Sequence, residues 1–197
     1  MAKERLKSPR ARLFVALDIP EEVREGIVAW QQEKLEDPPL RRTAAASLHI
    51  TLVFLGYHPE REIERIAETA LEVSIPAPVV ELRPEPLGIP PKRPRLFALD
   101  AASEGTVELQ QQVSDKLEAA RFYKPEKRPF WPHLTVARVR PERRGAKKPA
   151  RVLNPPGALP ETLRDPFHGV RIRLYRSHLR PQGAEYVPLA ELELPRA

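Results

Sequence analysis

Two segments of the chain place a histidine two residues before a threonine. They read LHITLVF and PHLTVAR, and they pair His49 with Thr51 and His133 with Thr135. Apolar residues alternate with both pairs, and residues two apart in a strand point to the same face. Imidazole gives or takes a proton near neutral pH, and a hydroxyl beside it can donate a hydrogen bond. Each segment therefore predicts a strand with an acid–base group and a donor on one face.

The opposite face of each predicted strand is apolar. In the first strand this face comprises Leu48, Ile50, Leu52 and Phe54. In the second strand, strict alternation puts Arg138 on the apolar face with Leu134 and Val136. Arg138 can therefore reach the side of His133 only at the end of the strand or at a bulge.

The two H-x-T segments belong to a longer internal repeat. The apolar strands RLFVALD and RLFALD end at Asp18 and Asp100, and each precedes an amphipathic helical pattern and then an H-x-T strand. His49 lies 31 residues after Asp18, and His133 lies 33 residues after Asp100. The repeat units span about residues 12–56 and 95–139. A duplicated unit packs about a pseudo-two-fold axis, which predicts that both H-x-T strands border one cleft.

The remaining elements predict an α+β fold in a single domain, residues 1–197, with two pseudo-symmetric lobes of mostly antiparallel sheet, outer helices and the cleft between the lobes. The predicted helices cover residues 19–36, 60–73 and 106–122, a further strand starts at Ala77, and residues 169–194 form a hairpin. We expect residues 1–11 to be a flexible tail. The basic segment 140–151 is predicted to be a mobile loop, which either contacts a phosphate backbone or keeps the surface soluble.

The composition favours an anionic partner. The 197 residues carry a formal net charge of +6 with a pI of about 9.8, and nucleic acid is the leading candidate, although an Arg-rich solvated surface is the alternative. The chain has no cysteine, which excludes disulfides, thiolate nucleophiles and cysteine metal sites. No apolar run is long enough for a membrane span, and we expect a cytoplasmic monomer.

Two imidazoles on either side of a phosphate could hydrolyse a phosphodiester. One takes a proton from water, and the other gives a proton to the leaving alkoxide. Thr51 and Thr135 could then donate to the non-bridging oxygens, and Arg138 could neutralise charge in the transition state. The alternative is a pair of ordinary sheet histidines with β-branched neighbours.

The motifs resemble those of the 2H phosphoesterase superfamily, and in particular the RNA 2′,3′-cyclic phosphodiesterases, also called 2′-5′ RNA ligases. The resemblance rests on the segments RLFVALDIP, LHITLVFLG, PRLFALD, FWPHLTVARV and LYRSHLRPQGAEY, which extend over nearly the whole chain. It implies a bilobal fold and opening of RNA 2′,3′-cyclic phosphate ends to 2′-phosphates, without metal or cofactor. It also implies His49 as proton donor, His133 as proton acceptor, and Arg138 and Phe14 as substrate-binding residues.

Some assignments stay open at the level of sequence. Trp131 either stacks on a base or ribose or is a core aromatic, and Tyr175 is a candidate for the wall of the cleft. The segment RRTAAASLH departs from the family pattern before the first motif, which leaves the substrate preference undetermined. The substrate is either RNA with cyclic phosphate ends or a small cyclic nucleotide, and 2′-5′ ligation is a side activity. A non-catalytic RNA-binding protein with a basic cleft and loop is the alternative function.

Overall fold

A computed structural model of the chain describes residues 9–180 and 183–196. Within these residues the chain forms ten strands and three α-helices, which confirms the α+β class. The strands are β1 Arg10–Asp18, β2 Leu40–Arg42, β3 His49–Pro59, β4 Val79–Leu82, β5 Leu87–Ile89, β6 Leu96–Ala102, β7 His133–Val139, β8 Phe167–His168, β9 Arg171–Arg180 and β10 Gly183–Glu193. The helices are α1 Glu21–Lys34, α2 Ile63–Leu71 and α3 Glu104–Ala119.

The strands form one sheet in the order β10-β9-β1-β3-β7-β6-β4-β8, with β2 added to β7 and β5 added to β6. All the pairings are antiparallel. The two halves of the sheet meet at its centre, where Ile50 of β3 pairs with Leu134 of β7. The predicted lobes are therefore two halves of a continuous sheet.

The predicted repeat is present as two strand–helix–strand units, β1-α1-β3 and β6-α3-β7. In each unit an aspartate at or near the end of the first strand pairs with the histidine of the H-x-T motif, Asp18 with His49 and Asp100 with His133. Asp18 ends β1, whereas β6 continues beyond Asp100 to Ala102. Helix α3 begins where the Ser103 hydroxyl accepts the backbone N–H of Thr106, at 3.0 Å. Helix α1 has no such cap but carries two acidic residues in its first turn.

The helices cover one face of the sheet and bury its apolar residues. Ile27 and Trp30 of α1, and Leu109, Val113 and Leu117 of α3, belong to one core cluster with Leu13, Val15 and Leu17 of β1 and with the central residues Ile50 and Leu134. The other face of β1 forms a second, small cluster with β9, made of Phe14, Ala16 and Tyr175. One face of the sheet is therefore the core, and the opposite face is available for a site.

Both H-x-T strands contain a β-bulge at the same position. In β3, Thr51 pairs with Ala16 and Val53 pairs with Val15, so Leu52 is the extra residue. Leu52 and Val53 are both buried, and the side chain of Phe54 returns to the side of His49, 42% exposed. The prediction that Phe54 lies on the apolar face was wrong because a bulge adds one residue and reverses the alternation.

The second bulge turns the side chain of Arg138 to the side of His133, whereas strict alternation places it on the apolar face. Thr135 pairs with Ala98 and Ala137 pairs with Phe97, so Val136 is the extra residue. Val136 and Ala137 are buried, whereas Arg138 is exposed. Of the two ways in which Arg138 was expected to reach the cleft, the end of the strand or a bulge, the structure contains the bulge.

One further prediction needs correction. Strand β1 begins at Arg10, and Ala11 is buried in the core, so the predicted tail 1–11 overlaps the first strand; residues 1–8 lie outside the described residues.

Segment 140–151 contains no helix or named strand, as expected for a loop, and its mobility stays a prediction. An isolated bridge joins Pro141 to Pro149, and an ion pair of 2.9 Å links Glu142 to Lys148.

The helices do not reach the length and apolarity of a membrane span anywhere in residues 9–180 and 183–196. They also begin and end within a few residues of the predicted bounds. The predicted helix 60–73 is a 3₁₀ turn followed by α2.

The central contact of the sheet gives a direct test of its importance to stability. Leu134 is completely buried, and we expect Leu134→Ala to lower the free energy of unfolding by ~2–5 kcal/mol, because it removes packed apolar surface and leaves a cavity. The matched control Leu153→Ala changes a leucine that is 68% exposed and should cost less than ~0.5 kcal/mol. Urea denaturation of both variants measures this difference, and equal midpoints would contradict the assigned core.

Candidate active site

The two H-x-T motifs lie side by side at the centre of the sheet. Because Ile50 pairs with Leu134 in an antiparallel register, each histidine lies nearest to the threonine of the other strand. His49, Thr51, His133 and Thr135 are half-buried, and all four line one cavity of about 170 Å³ together with Arg138. The structure therefore brings together five of the residues singled out from the sequence.

The imidazole of His49 lies in an aromatic enclosure. Its ring stacks on Phe14 and Tyr175, with centroid distances of 5.1 and 5.7 Å, and meets Tyr186 edge-on at 5.4 Å. In the part of the chain that the structure describes, its Nδ1 atom is buried without a hydrogen-bond partner. Burial, reinforced by the positive charges of Arg24, His133 and Arg138, lowers the pKa of His49 from 6.5 to about 3. His49 is thus neutral when the cavity holds no anion.

A buried polar network lies behind His49. The hydroxyl of Tyr175 donates to Oδ1 of Asp18 at 2.9 Å, and the guanidinium of Arg173 lies 2.8 Å from Oδ2. Arg173 also contacts Glu191 at 2.7 Å. Burial raises the pKa of Asp18, and its hydrogen bond from Tyr175 and the charge of Arg173 offset part of that rise.

Tyr175 therefore does not have the position predicted for it. Its side chain is 4% exposed and lies under Phe14 and His49, with its hydroxyl committed to Asp18. The alternation of β9 was interpreted correctly, but the sequence does not show that Phe14 covers this face. Tyr175 supports the ring of His49 and does not form a wall of the cleft.

The imidazole of His133 has a different environment. It stacks on the indole of Trp131 at 4.5 Å, and its Nδ1 atom lies 2.9 Å from the carbonyl oxygen of Trp131. A carbonyl only accepts, so Nδ1 of His133 carries the proton of this hydrogen bond. In the neutral ring Nε2 is then the free base. The indole Nε1 of Trp131 donates to Asp100 at 3.0 Å. Trp131 therefore positions His133, and it lines neither the cavity of 170 Å³ nor the larger groove described below.

A part of the cavity wall comes from residues that sequence reasoning missed. These are Arg41, Arg42, Thr43, Ala44 and Ser47, together with Gly183, Ala184 and Tyr186 of β10. All five residues of the first group lie in segment 41–49, RRTAAASLH, which departs from the family pattern. It reaches the site because β2 pairs with β7, Arg41 opposite Arg138, and this long-range pairing has no local signal.

The contact between β2 and β10 depends on a glycine. Gly183 has a φ of 134°, a conformation that side chains disfavour, and a Cβ at this position would lie 2.8 Å from Nη1 of Arg41. The absence of a side chain lets the guanidinium of Arg41 lie against the backbone of β10. The two halves of the sheet thus approach each other over the cavity.

A larger groove continues from the cavity on one side only. It has a volume of about 500 Å³ and shares His49 and Thr51 with the cavity, whereas His133 and Thr135 are not among its described walls. Its other walls include Arg12, Phe14, Phe54, Ser177, Leu179 and Arg180. The described walls of the cavity and of the groove contain arginines and no carboxylate. This surface is suited to an anion with an attached organic group.

Two further histidines and the basic segment 140–151 lie outside the cavity and the groove. His58 lies 3.5 Å from Glu62, and His168 contacts the carbonyl of Ala77. The segment 140–151 contributes none of the described walls of either cavity. Among the described residues, no three His, Asp or Glu side chains cluster in a way that could hold a metal ion.

An antiparallel sheet made of two repeated halves, with an H-x-T motif on each central strand, defines a 2H-type phosphoesterase. Residues 19–174 match the model of the 2′-5′ RNA ligase superfamily, and the chain belongs to this family. The resemblance inferred from the motifs is confirmed.

Known proteins of similar sequence carry a common name. The chain is 28% identical to the RNA 2′,3′-cyclic phosphodiesterase of Methanocaldococcus jannaschii, over 91% of this chain and 99% of the relative. It is 30% identical to the RNA 2′,3′-cyclic phosphodiesterase of Thermus thermophilus, over 93% of this chain and 90% of the relative.

Solved structures share the fold. A crystal structure of a Thermus thermophilus protein is similar with a TM-score of 0.74 and 29% identity, covering 94% of this chain and 98% of that chain. E. coli LigT complexed with NADP+ gives a TM-score of 0.73 at 24% identity, over 96% of this chain and 100% of that chain.

The burial of His49 makes the free energy of unfolding depend on pH. The unfolded chain takes up a proton near pH 6.5 that the folded site excludes down to about pH 3, so stability falls as the pH falls through this range. We expect the wild type to lose ~1.4 kcal/mol per pH unit more than His49→Asn, which has no imidazole to protonate. Urea denaturation from pH 7 to pH 4 measures both curves. Parallel curves would contradict a neutral, buried His49.

Proposed function

We propose that this chain hydrolyses RNA 2′,3′-cyclic phosphate ends to 2′-phosphates by acid–base catalysis, with His49 as proton donor and His133 as proton acceptor. The enzyme class follows from the relatives, several of which are named RNA 2′,3′-cyclic phosphodiesterase and match most of this chain. The observation that carries the mechanism is the cavity into which both histidines and both threonines point from adjacent strands.

In the proposed reaction, Nε2 of His133 takes a proton from a water molecule as its oxygen attacks phosphorus. The bond between phosphorus and the 3′-oxygen breaks on the opposite side, and His49 gives its proton to that oxygen. The product has a 2′-phosphate and a 3′-hydroxyl. Solvent then restores the two protonation states. Each proton transfer contributes ~10²–10⁴-fold to the rate.

The low pKa of His49 makes its charge depend on the substrate. An empty site keeps the ring neutral, because burial and the surrounding cations oppose a positive charge. The negative charge of a bound phosphate offsets these cations and favours the imidazolium. Protonation of the acid is therefore coupled to binding of the group that it serves.

The groove supports the assignment of the acid. In an in-line displacement the water and the leaving oxygen lie on opposite sides of phosphorus, and the leaving oxygen belongs to the ribose of the RNA. The large groove adjoins His49 and is not lined by His133. The ribose and its chain then lie beside His49, and the water lies beside His133.

The threonines and Arg138 have supporting roles in this mechanism. The hydroxyls of Thr51 and Thr135 donate to the two non-bridging oxygens and hold phosphorus between the imidazoles. Arg138 borders both cavities and offsets the charge that develops on these oxygens. Phe14 forms the wall behind His49. The reverse reaction, which joins ends through a 2′-5′ linkage, uses the same groups and is a side activity because water favours hydrolysis.

Single replacements of the two histidines test the mechanism. We expect His49→Ala and His133→Ala each to lower kcat for an oligonucleotide with a 2′,3′-cyclic phosphate end by ~10²–10⁴-fold, since each removes one proton transfer. The matched control His58→Ala removes a histidine outside both cavities and should keep wild-type turnover. The assay contains EDTA, and chromatography distinguishes the 2′-phosphate from the 3′-phosphate.

Two results would contradict the proposal. If both alanine variants turned over the substrate at the wild-type rate, the acid–base pair would be excluded. Tight, salt-dependent RNA binding by all variants, without any product, would favour the alternative of a non-catalytic RNA-binding protein.

The acid and the base can be told apart with a better leaving group. A substrate with sulfur in place of the 3′-oxygen expels a thiolate, which needs no proton. We expect this substrate to restore most of the activity of His49→Ala but not that of His133→Ala, because only the second variant lacks the base. Single-turnover rates for both substrates give the comparison. Rescue of His133→Ala instead would reverse the assignment.

A further inference from the structure

The groove carries two cationic groups, Arg12 and Arg180, that the catalytic cavity does not share and that the proposed reaction does not use. Arg12 lies on the same face of β1 as Phe14 and Ala16, and Ala16 pairs with Thr51. Four residues of strand separate Arg12 from Ala16, a distance of ~13 Å. Arg12 lines the groove but is not among the described walls of the cavity that both histidines line, so a group bound by Arg12 is distinct from the reacting phosphate.

The guanidinium of Arg12 is held in place without a neutralising partner. Its Nη1 donates to the hydroxyl of Ser177 at 3.2 Å, and its Cζ lies 4.6 Å from the centroid of the Phe54 ring. No salt bridge joins it to a carboxylate within residues 9–180 and 183–196. A neutral hydroxyl and an aromatic face orient the guanidinium and leave its charge for an incoming anion.

The second cation of the groove is also accessible to a ligand. Arg180 lies at the end of β9, and its Nε is 3.3 Å from Glu185 in a pair whose two side chains are both exposed. Such exposed pairs contribute little energy and leave the cation able to contact a ligand. Arg12 and Arg180 thus form a cationic part of the groove, and neither residue is among the described walls of the catalytic cavity.

We infer that this cationic part of the groove is a second phosphate subsite, which binds the phosphodiester on the 5′ side of the terminal nucleotide. This inference rests on the proposed function. It specifies the substrate class: RNA of two or more nucleotides with a cyclic phosphate end, in preference to a cyclic mononucleotide, which has no second phosphate. Phe54, which pairs with Phe14 of β1, also lines the groove.

Three substrates isolate the second phosphate. They are adenosine 2′,3′-cyclic phosphate, the dinucleotide ApA with a 2′,3′-cyclic phosphate end, and the same dinucleotide with a neutral methylphosphonate linkage. We expect the wild type to have a KM about tenfold lower for the charged dinucleotide than for the other two, as a charge-assisted hydrogen bond would give. Arg12→Gln should abolish this preference while turnover of the mononucleotide stays unchanged, which also shows that the variant is folded.

The control variant removes a positive charge elsewhere. Lys92→Gln changes an exposed residue outside both cavities and should keep the preference for the charged dinucleotide. Arg12→Gln should also reduce the slope of log KM against log salt for this substrate by ~0.7, because one phosphate contact is lost. An equal effect of both variants would show a general effect of net charge and would overturn the subsite.

Binding of the products separates the subsite from the chemistry. Calorimetry with adenosine 2′-phosphate and with ApA 2′-phosphate makes the same comparison without turnover. If no substrate is hydrolysed but the dinucleotide product binds more tightly in an Arg12-dependent way, the proposed function fails and the subsite stands. If hydrolysis occurs with equal KM values for all three substrates, the subsite is wrong and the proposed function stands.

Discussion

The pairing of β3 with β7 is the contact on which the site depends. Ile50 and Leu134 are completely buried and join the two halves of the sheet in an antiparallel register. Because neighbouring residues in a strand point to opposite faces, burying this pair in the core directs both H-x-T histidines to the opposite face. A slip of one residue in either strand would send its histidine into the core and its leucine or isoleucine into solvent.

The two halves are alike in backbone and unlike in the environment of their histidines. Each histidine pairs with an aspartate of the preceding repeat strand. A backbone carbonyl holds one nitrogen of His133, whereas His49 is enclosed by aromatic rings and its Nδ1 has no hydrogen-bond partner among the described residues. A hydrogen bond fixes the tautomer of one ring, whereas burial and nearby positive charges lower the pKa of the other. Two equivalent strands of the repeat thus carry histidines that differ because their surroundings differ.

The bulges show where alternation succeeds and where it fails as a guide. It correctly placed His49, Thr51, His133 and Thr135 on one face, because no bulge falls between the members of either pair. The alternation failed at Phe54, three residues after Thr51, since the extra residue in β3 reverses the pattern. At Arg138 the alternation pattern left two alternatives, the end of the strand or a bulge, and the structure contains a bulge.

The sequence alone determined the repeat, the α+β class and the two histidine–threonine pairs, because strand and helix periods and the motif spacing are local properties of the chain. The tertiary structure alone decided that β2 reaches the cavity, that Phe14 covers Tyr175, and that the groove adjoins His49 and not His133. These features arise from pairing and packing between segments far apart in the chain. They depend on which strands become neighbours in the sheet, and no short segment of the sequence contains both partners of such a pair.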